Sequence, residues 1–414
     1  MKIVLTFLLL TISGTNMLLF PCTVFYASDS NSVLFGNNED WSDPDTRIWF
    51  FPAELEKHGW IKFGFASGFP QGGMNEHGLC WDGTGCAYLE MPYSTANKEK
   101  YPGPLMQKVI KECSTTQEAL SVFASYYCED QFKAQYLLGD STGASMIVEG
   151  DSIISKSVDF QVLTNFYQSH PELGGYPCWR YDTAVSILQN SNGLSTELFG
   201  GVLSETHQEG RYPTQYSNIY DLKNKIIYLF YYHNFREFVT INVKTELSKG
   251  VRSFNLPELF SEIHLISPED CGEVNTGAVS FEWEGKRTSQ YDLVYSTDPD
   301  FSDAETISLG RRPSDNQSNI FSAVLVFGVI FIVNIRPRKK KLILFLVITI
   351  LFFSGVNCRD KITSPDPEAE VHEISMTIEN LENNTLYYWK VVAHPEATNE
   401  FYSESTVRTF STIQ

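Results

Sequence analysis

The chain has 414 residues, 43% of them hydrophobic and 14% aromatic, with a formal net charge of -19. That apolar content supplies two or three packed domains, and the acidic excess argues against a nucleic-acid partner. Its eight cysteines are irregularly spaced and include no Cys-x-x-Cys, so neither a zinc ligand set nor a disulfide connectivity can be read.

Residues 1–21 read as a removable secretory leader, with Lys2 as its brief positive start and a mostly apolar stretch to Phe20. A membrane anchor is the alternative, because Phe20-Pro21 is a poor small-residue cleavage site. Cys22 stands directly behind this segment. A cysteine that becomes residue one can act as a nucleophile with its own α-amine as base, since that amine has a reference pKa of about 7.7–8.

From 22 to about 258 short strands alternate with polar turns. Residues 22–36 predict a hairpin turning at Asp29-Ser30-Asn31, which returns Asp40 towards Cys22. Helices are expected over 104–113, over 116–126 with Ser114 or Thr115 as cap, and over 180–189. Residues 136–138 and 144–149 read as a strand pair, and 219–232 and 238–243 as closing strands. The segments 49–60 and 88–101 read as pocket-lining loops. Strands flanking a helical section imply an α+β domain with helices packed on sheet.

Residues 259–414 have a different texture: 281–283, 291–295 and 387–393 alternate as sandwich strands. Between them, 320–335 and 342–356 are nearly uncharged and flank the basic run 336–341, which suits a transmembrane hairpin over 320–356 with its turn in the cytoplasm. Buried helices, or a lipoprotein-like signal ending at Cys358, are the other readings. The strand segments, with the 381–385 turn and the closing Thr409-Phe410-Ser411-Thr412, resemble a fibronectin type III-like module, here interrupted by the hairpin.

The first domain resembles the N-terminal-nucleophile amidases of the choloylglycine hydrolase and penicillin V acylase group. The resemblance rests on Cys22-Thr23, Gly36-Asn37-Asn38-Glu39-Asp40-Trp41, Gly73-Met74-Asn75-Glu76-His77-Gly78-Leu79, Gly139-Asp140 with 145–149, Leu163-Thr164-Asn165, and Arg180 opening a helix. It implies an αββα sandwich and hydrolysis of a linear non-peptide C–N amide through a thioester acyl-enzyme, with no cofactor or metal. It further implies Cys22 as nucleophile, Asp40 orienting the α-amine, Asn165 as oxyanion donor, and Arg180 near the nucleophile favouring the thiolate. Two positions depart from the family: Asn37 stands where it places an arginine, and Gly85 where it carries a side-chain donor, so that a backbone N–H is expected to substitute.

The expectation is an exported, envelope-tethered amidase acting on a small-molecule amide. Acyl transfer through the same thioester, and an inactive binding or adhesion protein, are the alternatives. A Cys-His hydrolase pairing Cys80 or Cys113 with His77, His207 or His233 is a further rival that no local sequence marks. Trp49, Trp60, Trp81 and Trp179 read as core or pocket residues.

Overall fold

The computed structural model describes residues 22–86, 95–128, 134–150, 152–286, 289–309, 371–395 and 400–413. The expected leader at 1–21 and hairpin at 320–356 lie outside these residues. Among the described residues no helix is long and apolar enough to cross a membrane.

The first unit runs β1 (Thr23–Ser28), β2 (Val33–Asp40), β3 (Thr46–Phe51), β4 (Trp60–Phe65), β5 (Pro70–Asn75), β6 (Cys80–Gly85) and a short β7 (Glu99–Lys100). Helices α1 (Leu105–Glu112) and α2 (Thr116–Ser125) follow, then β8 (Tyr126–Tyr127), β9 (Ala134–Gly139), β10 (Ser145–Glu149), β11 (Ser152–Ser155) and β12 (Phe160–Leu163). It closes with α3 (Trp179–Gln189), α4 (Thr196–Thr206), β13 (Thr214–Asp221), β14 (Ile226–Tyr231), β15 (Asn234–Asn242), α5 (Val243–Ser248) and β16 (Arg252–Asn255).

Two antiparallel sheets stack face to face. One is ordered β12-β1-β2-β13-β14-β15, the other β11-β10-β9-β6-β5-β4-β3-β16. Alternation along β1 shows how the layers arise: Val24 and Tyr26 enter the core between the sheets, while Phe25 and Ala27 pack under α3 and α4. The outer face of the other sheet, through Trp81, Leu138 and Val148, is covered by α1 and α2. The result is four layers, helix-sheet-sheet-helix.

Local chemistry accounts for the expected elements. Asp29 Oδ1 accepts the amides of Asn31 and Ser32 at 2.8 and 2.7 Å, closing the β1–β2 turn. Thr115 Oγ1 caps α2 by accepting the Glu118 amide, and the Glu118 carboxylate accepts the Ser114 amide in return.

Three expectations need correction. Residues 219–232 form not one strand but parts of β13 and β14, because Asp221 Oδ1 accepts the Asn224 amide and Lys225 adopts φ 56°, turning the chain through the polar stretch 221–225. The 49–60 loop instead holds the end of β3 and the start of β4, with Trp60 1% exposed under α1. Helix α4 has no counterpart among the expected elements, since its Gly200-Gly201 pair weakens the helical signal.

The second unit comprises β17 (His264–Ser267), β18 (Gly272–Asn275), β19 (Ala278–Lys286), β20 (Gln290–Ser296), β21 (Glu305–Leu309), β22 (Val371–Glu379), β23 (Leu386–His394), β24 (Ser403–Ser405) and β25 (Arg408–Ile413). Strands from both sides of 310–370 pair directly, β19 with β22 and β20 with β23. Trp283, Trp389, Phe281 and Phe410 fill the space between its sheets. The two units share a sheet, because β24 bridges β15 and β23.

A buried carboxylate fastens this junction. Glu237 on β15 accepts hydrogen bonds from the Ser261 amide (2.7 Å), the Ser403 hydroxyl (2.6 Å) and the Ile263 amide (3.0 Å). Phe401 adds an apolar plug, stacked on Phe50 with ring centroids 5.9 Å apart. Glu237→Ala strands two buried N–H donors and should cost on the order of 3 kcal/mol. Urea unfolding measures this, and an unchanged midpoint would remove Glu237 from the junction's energetics.

Candidate active site

The site forms where strand ends meet. Cys22 immediately precedes β1, Glu39 and Asp40 end β2, Gly85 ends β6, Asn165 follows β12, and Arg180 lies in the first turn of α3. The register pairs Thr23 with Asn38, which sets Cys22 opposite Glu39. Cys22 therefore points its side chain between the sheets, with Val24, and Asp40 points the other way, towards the helices.

The main chain of Cys22 is gripped at both ends. Its N–H donates to Asn165 Oδ1 at 3.0 Å. Its carbonyl accepts from Arg180 Nη1, which also donates to Thr23 Oγ1 at 3.0 Å. Arg180 Nη2 donates to Asn165 Oδ1 at 2.8 Å, so a single amide oxygen ties the guanidinium to the α-nitrogen. On its other side, Asn165 Nδ2 donates to the Gly85 carbonyl at 3.0 Å and joins the two sheets.

This geometry redistributes the expected roles. The Cys22 nitrogen meets Asn165, whereas the Asp40 carboxylate accepts from Thr214 Oγ1 and from Gln208 Nε2 (2.7 Å) and lies 3.8 Å from Arg180. Gly85 engages Asn165 through its carbonyl, in place of the expected N–H. Arg180 reaches the backbone of Cys22, not the sulfur.

Acids surround the thiol. Cys22 Sγ lies 3.9 Å from Glu39 Oε1. Asp82 enters the same space from β6 in the facing sheet, so close to Gly72 that a Cβ there would stand 2.1 Å from Asp82 Oδ2. Glu39 Oε2, both Asp82 oxygens, Asn37 Nδ2 and Tyr216 OH have no hydrogen-bond partner among the described residues. Burial, followed by the charges of Glu39 and Asp40, pushes the Cys22 thiol well above its ordinary value, with only the Asp40 amide working against them. Glu39 is driven up by burial and then by Asp40, and Asp82 by burial and then by Glu39. Burial thus holds both carboxyls towards their neutral forms.

Asp40 is also raised, to about 7. Burial is the larger influence and outweighs the stabilising Arg180, Thr214 and Gln208. An ion pair at 3.8 Å does not repay the loss of water around a fully enclosed carboxylate.

Glu39, Asp82 and Gln208 are additions to the residues that the sequence singles out. Glu39 is legible as part of the Asn-Asn-Glu-Asp run, but Asp82 becomes a neighbour of the thiol only when the sheets stack. Away from Cys22, two groups of side chains lie close enough together to be candidate ligand sets: His58, Glu76 and His77, and His207, Glu209 and His233. Their members are brought together from separate elements, and neither group contains a cysteine. The described cysteines form no disulfide with one another.

No protein-family model and no curated protein matches this chain. Among solved structures it is similar to a penicillin V acylase from Agrobacterium tumefaciens, with 19% identity and a TM-score of 0.48 over 57% of this chain and 92% of that one. It is also similar to a mutant conjugated bile acid hydrolase from Clostridium perfringens, with 16% identity and a TM-score of 0.45 over 56% of this chain and 96% of that one. A second variant of that hydrolase gives the same identity and score, over 97% of its length.

The three raised acids set the sign of the pH dependence. Between about pH 4 and 7 the unfolded chain has released protons that the folded chain still holds at Asp40, Glu39 and Asp82. The unfolded state thus binds fewer protons, and stability falls as pH rises. The urea midpoint should be lower at pH 8 than at pH 5, and Glu39→Gln with Asp82→Asn should narrow the gap. A midpoint that rises with pH would contradict this account of the buried acids.

Proposed function

We propose that the chain is a hydrolase of linear, non-peptide C–N amides whose nucleophile is Cys22 after exposure of its α-amine. The observation that carries this reading is the grip on both the nitrogen and the carbonyl of Cys22 by Asn165 and Arg180. A nucleophile in mid-chain needs only its side chain placed; a residue whose own nitrogen is the base needs its backbone placed too.

In this mechanism the thiol proton passes to the α-amine as sulfur attacks the amide carbonyl. The amine then protonates the leaving nitrogen as the C–N bond breaks, leaving a thioester on Cys22. Water attacks that thioester with the amine again as base, and the S–C bond breaks to release a carboxylic acid. Asn165 Oδ1 holds the amine in line. Oxyanion stabilisation by Asn165 Nδ2 requires exchange of its bond to Gly85, and such a donor contributes roughly 3–4 kcal/mol to the transition state. Arg180 locks the start of β1, and Asp40 balances its charge once ionised.

The acid-lined thiol supports a second reading, a binding protein on the same scaffold in which the thiolate is too costly to form. Acyl transfer in place of hydrolysis uses the same thioester. Outside the amidase unit, we read 259–414 as a fibronectin type III-like module and 1–21 and 320–356 as export and tethering segments. Under that reading the full-length protein needs detergent for release from membranes, and extraction by salt alone would sink it.

Intact mass and activity together test the central claim. Active protein should begin at Cys22. Cys22→Ala and Cys22→Ser should lose most activity, and any form retaining one residue before Cys22 should be folded and inactive. An active form beginning upstream of Cys22 overturns the mechanism, and slow, uniform labelling of all thiols by an acylating probe would favour the binding protein.

A further inference from the structure

The second histidine cluster is built as a ligand set. His207 follows the last turn of α4, and Glu209 lies two residues further on. His233 sits in the two-residue turn between β14 and β15. One ligand atom from each of the three falls within 4.8 Å of the others.

Each imidazole is oriented by the backbone behind it. His207 Nδ1 contacts the Ser204 carbonyl, which assigns the ring proton there and leaves Nε2 as a lone-pair donor, 3.7 Å from Glu209 Oε1. His233 is hydrogen-bonded to the main chain of Thr214, while its Nε2 is buried with no hydrogen-bond partner among the described residues. Histidines that ligate metals are held this way, by a carbonyl or carboxylate on the far nitrogen.

The turn itself is costly. Tyr232 and His233 have φ of 41° and 61°, which a two-residue hairpin turn normally assigns to Asn-Gly. Bulky residues in that region are retained mainly where the site uses them. The His58 group differs, because His58 Nε2 is already within 3.2 Å of Ser114 Oγ and Glu76 Oε1 accepts the Gly59 amide.

We propose that His207, Glu209 and His233 bind one zinc-class divalent cation through two imidazole Nε2 atoms and a carboxylate. Two imidazoles and a carboxylate suit zinc and its first-row neighbours, and discriminate against magnesium and calcium, which take oxygen sets. Bonds of about 2.0–2.2 Å bring ligand atoms to about 3.3 Å apart, so the cluster must contract. Glu209, with its side chain 78% exposed, is free to do so. His233 also lines a cavity of about 750 Å³, shared with Ser204 and Phe260.

The cation would pin the β14–β15 turn to the end of α4. Between two of its ligands stands Gln208, which donates to Asp40 through Nε2 and to Thr214 Oγ1 through its amide, at 2.7 and 2.8 Å. The site thus lies one residue from the group that holds Asp40 beside Arg180. This inference does not rest on amide hydrolysis and survives its failure.

The test is titration of the EDTA-stripped full-length protein with Zn2+, Co2+ and Mg2+, followed by thermal unfolding and calorimetry. One equivalent of Zn2+ should bind and raise the unfolding temperature, Mg2+ should do neither, and Co2+ should develop visible bands without a thiolate charge-transfer band. His233→Asn suits the left-handed turn and should keep the metal-free unfolding temperature while weakening Zn2+ binding at least tenfold. Glu209→Gln should weaken it as well, and His58→Ala should not. Absence of stoichiometric binding, a thiolate band, or an affinity unchanged in His233→Asn overturns the proposal.

Discussion

Everything at this site depends on where the backbone of residue 22 is held. Arg180 and Asn165 meet its carbonyl and nitrogen and each other, and that closed set of hydrogen bonds links α3, the end of β12 and the start of β1. A guanidinium suits the task because its rigid fork can serve a carbonyl, a hydroxyl and an amide at once. The four layers follow as the scaffold that brings four strand ends and one helix start to a common point.

The electrostatics around that point run against a simple activated thiol. Three carboxyl groups face or flank Cys22, and burial holds all of them towards neutrality. A nearby cation is the usual way to favour a thiolate, but the site's arginine is spent on the backbone. Where the resembled family places an arginine, Asn37 instead lies fully buried and bonded through Oδ1 to Asn218. The site therefore favours a neutral thiol.

The second unit is coupled to the first more closely than a tethered module needs. A continuous sheet, the Glu237 clasp and the Phe401 plug make the junction part of the core. The β14–β15 hairpin that carries His233 leads into the strand that carries Glu237, so the histidine cluster, the cavity and the inter-unit clasp share one hairpin.

Much of this is legible in the sequence, where the signal is local. Period-two alternation marks β19, β20 and β23, the Asp29-Ser30-Asn31 turn marks β1 and β2, capping residues mark α2, and Cys22, Asp40, Asn165 and Arg180 stand out from their motifs. The polar turn at 221–225 is also marked locally, between two apolar strands, whereas α4 is not legible because its paired glycines cancel the helical signal. Nor can the sequence show which face a residue takes, because that depends on register. One step of register puts Glu39 beside the sulfur and Asp40 behind it, and stacking of two sheets adds Asp82. The meeting of His207 with His233 requires a helix end and a hairpin turn to pack side by side, a contact between residues far apart in the chain that only the folded structure decides.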